Sequence, residues 1–290
     1  MIKKLVGFDT VSRESNLPLI DFVQNILYDQ GIGSRRVPSA DGQKSNLIAT
    51  VGPEEVGGVV HSGHTDVVPV DGQDWDSDPF TLMRSGSRLY GRGSCDMKGF
   101  IGIALALVPK MVNLRRPIHF ALSYDEEVGC LGAPDMIEVI RRELPEPQGV
   151  IVGEPTTMGA VIGHKGMVGL RTVVRGYEAH SSQTHRGVSA VMTAARLVSH
   201  LESVAQDLAK KTPSDNGFEP HYTSVHVGVI HGGTALNIIS GECEFVWDIR
   251  NIPGDDPQLL IDVFEQFCRD EVLPGMRARY ERCAIDTQVL

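Results

Sequence analysis

The chain has 290 residues, 41% hydrophobic and 22% charged, enough for one large globular domain or two smaller ones. A formal charge of −10 with no dense Lys/Arg cluster excludes nucleic acid as a partner, because phosphate neutralisation needs a basic face. The longest apolar run, Phe100 to Val108, is too short to span a bilayer, so no membrane role is expected, and the N-terminus lacks the apolar core of a secretory signal. The cysteines (Cys95, Cys130, Cys243, Cys268, Cys283) are odd in number and never spaced as CxxC. That argues against a disulfide scaffold or a thiolate zinc site, and the expectation is a cytoplasmic protein.

In chain order, Leu19, Ile20, Val23, Ile26 and Leu27 recur at helical spacing, with Asn16 as the predicted N-cap and Gly31 as the stop. Asn46–Val51 and Gly58–His61 read as strands, and residues 68–93, rich in Asp, Gly, Pro and Ser, mostly as loop. Lys98–Val112 is apolar on most faces and predicts a buried helix. Ile118–Tyr124 predicts a strand, Leu131–Arg142 a helix and Gly149–Val152 another strand. This alternation of continuous apolar strands with helices predicts an α/β domain whose sheet is mainly parallel and covered by helices on both faces.

After about residue 166 the rhythm changes. Val168–Val174 reads as a strand, Val188–Leu208 as a long helix, Thr223–Val229 and Glu242–Ile249 as strands, Asp256–Glu271 as a helix and Met276–Ile285 as a last strand. The order β-α-β-β-α-β is that of a ferredoxin-like α+β module. The predicted domains are therefore 1–166 and 167–290.

Three predicted strands end in residues of metal-binding type. His61-Ser-Gly-His64-Thr-Asp66 follows the first, Tyr124-Asp125-Glu126-Glu127 the second and Gly153-Glu154-Pro-Thr156 the third. Between them lies the glycine-rich Tyr90–Gly99 segment, which carries Asp96. In α/β sheets chemistry sits beyond the carboxyl ends of the strands. One imidazole with several carboxylates and no thiolate pair suits zinc, manganese or cobalt. Amide hydrolysis would use such a set well, because paired ions about 3.5–4 Å apart can polarise a carbonyl and acidify a shared water.

His64-Thr-Asp66, Gly93-Ser-Cys-Asp96-Met-Lys-Gly99, Asp125-Glu-Glu127 and Gly153-Glu-Pro-Thr156, in this order, resemble the motifs of the M20 metallopeptidase family. The resemblance implies a zinc-dependent catalytic domain joined to a ferredoxin-like lid through which the protein forms a homodimer. It implies two divalent ions, zinc or alternatively cobalt. His64 and Glu154 would hold one ion, Glu127 the other, and Asp96 would bridge them. Glu126 would be the general base, and Asp66 would accept the His64 N–H and orient the ring. Gly176-Tyr-Glu-Ala-His180 resembles the lid motif whose histidine stabilises the oxyanion in the partner subunit. Gly232–Asn237 and Asp248-Ile-Arg250 resemble substrate-contacting motifs, which singles out Asn237 and Arg250.

The flanks His64–Gln73, Trp75 with Asp78-Pro-Phe80, Ser94–Phe100 and Gly163-His-Lys-Gly166 resemble the branch that deacetylates N-acetyl-L-ornithine in arginine biosynthesis. Succinyl-diaminopimelate or a dipeptide is the alternative small-molecule substrate. The family's catalytic domain resumes after the lid with a last histidine for the second ion, whereas this sequence stops at Leu290. The expectation is an incomplete second site, with an inactive dimerising or binding protein as a further alternative. Plainer readings stand beside these. Glu126 and Glu127 suit a solvated helix start, Cys95 a small packing residue, Gly91-Arg-Gly-Ser a turn, and His180 and Arg250 a salt bridge. His185, His221, His226 and His231 read as surface or strand residues.

Overall fold

The computed structural model describes residues 1–290. The chain divides into two compact units, Met1–Ala160 and Val161–Leu290, each considered by itself below.

The first unit contains helices α1 (Ile2–Val6), α2 (Leu17–Asp29), α3 (Lys98–Leu107) and α4 (Ala133–Glu143). Its strands are β1 (Ser34–Pro38), β2 (Ser45–Val51), β3 (Val59–His64), β4 (Met83–Ser85), β5 (Arg88–Tyr90), β6 (Ile118–Ser123) and β7 (Gly149–Val152). Five of them form one sheet in the order β1-β2-β6-β3-β7. β3 pairs in parallel with both β6 and β7, while β2 is antiparallel to its two neighbours. Every strand but β2 therefore points the same way, and the sheet is mainly parallel.

Alternation along the strands sorts side chains into two layers. Leu47, Ala49, Phe120 and Leu122 meet Leu19, Ile20, Val23 and Leu27 of α2 and Ile101, Ala104 and Leu105 of α3. Ile48, Val60 and Ala121 face the opposite way, onto Met136 and Val139 of α4. Central strands buried on both faces explain their unbroken apolar runs.

Several expectations need correction here. Helix α3 stops at Leu107 and continues only as a 3₁₀ turn over Val108–Lys110, since Pro109 brings no N–H to an α-helix. Ile103 and Leu107 are exposed, so the helix is not buried all round. Residues 68–93 are mostly loop, as expected, with only the short β4–β5 hairpin inside them. β7 pairs only with β3, and Val150, Ile151 and Val152 are more than half exposed, so helices cover both faces only over the central strands.

The second unit contains β8 (Val168–Arg175), α5 (Ala190–Lys211), β9 (Ser224–Gly232), β10 (Glu242–Arg250), α6 (Pro257–Phe267), α7 (Leu273–Arg277) and β11 (Ala284–Val289). Its four strands are antiparallel in the order β11-β8-β10-β9, a ferredoxin-like arrangement. Leu170, Val174, Phe245, Trp247 and Ile249 on the sheet pack against Ala194, Leu197 and Leu201 of α5 and Ile261 and Phe264 of α6. Both long helices begin at a side-chain cap: Ser189 accepts from the Met192 N–H and Asp256 from the Gln258 N–H. The last strand lies later than its predicted Met276–Ile285 span. Pro274 suits a first helical turn and Met276 is buried, so that stretch continues the helix through a π turn at Cys268–Val272 into α7.

Candidate metal centre

The parallel ladder decides where the ligand-type residues emerge. His64, the last residue of β3, is in register with Ser123, the last of β6, and Ser62 of β3 is in register with Val152, the last of β7. Chain leaving these neighbouring strands in the same direction brings His64, the Asp125–Glu127 segment and Glu154 to the carboxyl end of the parallel strands. Asp96 arrives from the loop before α3. Its neighbour Met97 is fully buried, and the Met97 sulfur accepts the His64 main-chain N–H at 3.3 Å. Two glycines permit this approach. A Cβ on Gly63 would lie 3.0 Å from the Met97 methyl, and one on Gly99 would lie 2.2 Å from the Ser94 carbonyl oxygen.

The result is a cluster in which ligand atoms of His64, Asp96 and Glu127 all lie within 4.8 Å of one another. His64 Nε2 is 2.9 Å from Asp96 Oδ1 and 3.5 Å from Glu154 Oε1. The imidazole is buried, while the Asp96 and Glu154 side chains are 47% and 37% exposed, so the cluster runs from the interior to the surface. The other ring nitrogen, Nδ1, lies 2.9 Å from the main-chain oxygen of Asp66 and 3.5 Å from its carboxylate. The nearer partner is thus the carbonyl, not the carboxylate that the sequence suggested. Either contact makes Nδ1 the N–H donor and turns Nε2 toward the acidic side chains.

The Asp66 carboxylate has other work. It accepts the Ser12 hydroxyl at 2.7 Å and the main-chain N–H groups of Glu126 at 3.1 Å and Glu127 at 3.2 Å. It therefore fastens the chain leaving β6 to the chain leaving β3.

Charge in the cluster is unbalanced. Burial pushes the Glu127 and Glu154 carboxyls above their ordinary values, and the Asp96 charge pushes the same way. Burial alone would lower the His64 pKa, but Asp66, Asp96 and Glu154 outweigh it and lift the imidazole to about 9. Asp66 sits below the usual carboxylate range: burial opposes this, and His64, Ser12 and the Glu126 N–H overcome it. No lysine or arginine is paired with Asp96, Glu127 or Glu154; His64 is the one cationic partner of Asp96 and Glu154. Three carboxylates around one imidazole nitrogen, short of positive charge, fit a divalent cation of the zinc, manganese or cobalt type.

This electrostatics has a measurable consequence. The folded pKa of His64 lies above its unfolded value of 6.5, so its contribution to metal-free stability is complete below about 6.5 and lost as pH rises through about 9. A cation competes with that proton, so metal affinity should climb over the same window and level off above it. Thermal melts of the metal-free protein and zinc titrations from about pH 6 to about pH 10 check this; pH-independent affinity would refute it.

The remaining sequence candidates are in the second unit or at the rim. His180 is exposed, and its Nδ1 meets the Ser182 hydroxyl at 2.8 Å. The Asn237 carbonyl accepts the Ser181 N–H at 2.9 Å, which puts Asn237 and His180 on adjacent segments. Arg250 is joined to Asp248 at 2.8 Å. Cys95 is exposed and is not the packing residue its size suggested. Sequence reasoning passed over Ser12 and Lys44, which carried no motif. Lys98 lay inside a quoted motif without a role; it is fully buried and donates to the Phe8 carbonyl at 2.7 Å, and burial draws its ammonium down to about 8.

Residues 60–246 match the Peptidase family M20/M25/M40. The chain is similar to an acetylornithine deacetylase of Myxococcus xanthus, 39% identical over 279 residues, which cover 93% of this chain and 72% of that protein. It is also similar to an acetylornithine deacetylase of Klebsiella pneumoniae (strain 342), 34% identical over 244 residues, which cover 83% of this chain and 62% of that protein. Among solved structures, an M20 family metallo-carboxypeptidase of Sulfolobus solfataricus superposes with a TM-score of 0.71 at 17% identity, covering 99% of this chain and 76% of that one. No helix is long and apolar enough to cross a membrane. The motif order, the cluster at the strand ends and these matches converge on one conclusion: the chain belongs to peptidase family M20/M25/M40.

Proposed function

We propose that this chain is the metal-holding part of an amide hydrolase that releases acetate from N-acetyl-L-ornithine. The observation that carries the reading is the convergence of His64, Asp96 and Glu127 within 4.8 Å, with Glu154 3.5 Å from the same imidazole nitrogen. The choice of substrate is supported by two relatives named acetylornithine deacetylase, of whose lengths the chain spans 72% and 62%.

In this reading His64 and Glu154 would hold one divalent ion and Glu127 a second, with Asp96 serving both. Bound ions would supply Lewis acidity, polarising the amide carbonyl and making water acidic enough to attack near neutral pH. Glu126 accepts the proton of the attacking water and passes it to the departing nitrogen. A C–O bond forms, the C–N bond breaks, and the water oxygen leaves in acetate while the proton leaves on ornithine. Asp66 accepts the main-chain N–H groups of Glu126 and Glu127, which anchors the turn that carries both side chains. His180 is assigned to the oxyanion, and Asn237 and Arg250 to the substrate, within a homodimer formed through the second unit.

The test is an assay of free amine after mixing the zinc- or cobalt-loaded protein with N-acetyl-L-ornithine, N-succinyl-diaminopimelate and simple dipeptides. Release from the acetylated substrate above the others is expected. Preference for another member of the panel would reassign the substrate, since acyl and amino-acid contacts differ while the metal chemistry does not. Metal binding without amine release from any of them would remove the hydrolase reading.

A further inference from the structure

We infer that Lys44 is a positioning residue for the Glu126–Glu127 turn, acting through a closed ring of contacts behind the candidate metal centre. Its kinetic consequence rests on the hydrolase reading above; its structural content does not.

Lys44 ends the loop between β1 and β2. That loop is itself anchored, because the Ser39 hydroxyl accepts the Lys44 N–H at 3.0 Å and the Ser39 N–H donates to the Lys44 carbonyl at 2.9 Å. The Lys44 ammonium donates to both carboxylate oxygens of Asp125, at 2.6 and 2.8 Å, and to the Ser12 carbonyl. The two side chains are only 18% and 12% exposed, so this is a largely desolvated pair, unlike the screened surface bridges that contribute little.

Asp125 has φ +55, the left-handed region, which costs energy for a residue with a side chain and which Asp adopts more readily than most. At this residue the chain leaves β6 and turns into the two glutamates. The Asp125 and Glu126 carbonyls close the turn by accepting the Leu131 N–H, and the Gly129 and Cys130 N–H groups, respectively. Beyond it, the Glu126 and Glu127 N–H groups donate to Asp66, Asp66 accepts the Ser12 hydroxyl, and the Ser12 carbonyl returns to Lys44. The ring closes through four separate stretches of chain.

Lys44 pairs with no member of the His64–Asp96–Glu127 cluster, so its influence is positional. Without it, Asp125 is a carboxylate next to Glu126 and Glu127 with no cation opposite it, held in a left-handed turn. The turn then relaxes and the Asp66 acceptor bonds lengthen.

The test is amide hydrogen exchange in Lys44→Met. Exchange at Glu126 and Glu127 is expected to speed up by about tenfold or more, while Phe120–Leu122 in β6 keep their protection. Lys44→Arg, which keeps the charge, should restore most of it. In the metal-loaded protein, Lys44→Met should lower kcat by about 10–100-fold with KM held within about twofold. Unchanged exchange at the two glutamates, or equal loosening along β6, overturns the proposal. Should Lys44→Met not fold, Asp125→Asn removes the ion pair from its other end and is read in the same amides. Faster exchange at the glutamates in a protein that hydrolyses nothing would leave the positioning role standing and remove the hydrolase reading.

Discussion

Glu126→Gln is expected to lower turnover of N-acetyl-L-ornithine by about 10²–10⁴-fold, the usual worth of a positioned general base, while leaving bound metal unchanged. That loss corresponds to about 2.7–5.5 kcal/mol of transition-state stabilisation. Glutamine keeps the size and hydrogen-bonding reach of the side chain but cannot take a proton. The main-chain N–H of residue 126 still meets Asp66, so the turn stays in place. Elemental analysis of dialysed protein beside steady-state kinetics separates the two roles a carboxylate can have here. If metal content falls together with kcat, Glu126 is a ligand and the proposed assignment of base and ligand is wrong.

His64→Ala is expected to be as damaging, by another route. The imidazole is the one nitrogen donor of the cluster and the one cationic partner of Asp96 and Glu154. Its loss should weaken metal binding by more than about 10²-fold, exceeding the 10–100-fold typical of removing a supporting contact behind a ligand. In the metal-free variant the Glu127 and Glu154 carboxyls should rise further, because His64 is the group that draws them down against burial and Asp96. Zinc raises the melting temperature of any protein that binds it only when folded. The wild-type chain should therefore show a zinc-dependent rise that His64→Ala lacks. An equal rise in both would mean that the cation sits elsewhere. Ser12→Ala makes a useful comparison, since it removes a hydroxyl that reaches only Asp66 and should weaken zinc far less.

Much of the architecture is legible along the chain because it depends on local pattern. Unbroken apolar runs such as Phe120–Leu122 can be buried only inside a sheet with helices on either side, and the change of rhythm near residue 166 marks the start of a β-α-β-β-α-β module. The ligand-type residues stand out for a related reason, since His64, Asp125–Glu127 and Glu154 each lie directly at or beyond a strand end. Local pattern misleads where a neighbour far along the chain decides. Asn16 occupies the cap position of α2, yet its side-chain amide donates to the Ser45 carbonyl and Thr65 hydroxyl instead of capping the helix. Ile103 and Leu107 are apolar but face outward.

The ring of Ser12, Lys44, Asp66 and Asp125 lies beyond any reading of spacing. Its members are brought together by β-sheet order and loop closure across 113 positions of sequence, and no periodicity or motif connects a lysine in one loop to an aspartate at another strand's end. Residue types and strand ends, set by short-range hydrophobic pattern, are what the amino-acid order alone determines. Which oxygen meets the His64 ring, and which lysine balances the turn beside it, are decided only when distant segments pack, because hydrogen bonds and ion pairs act over a few ångströms of space, not of chain.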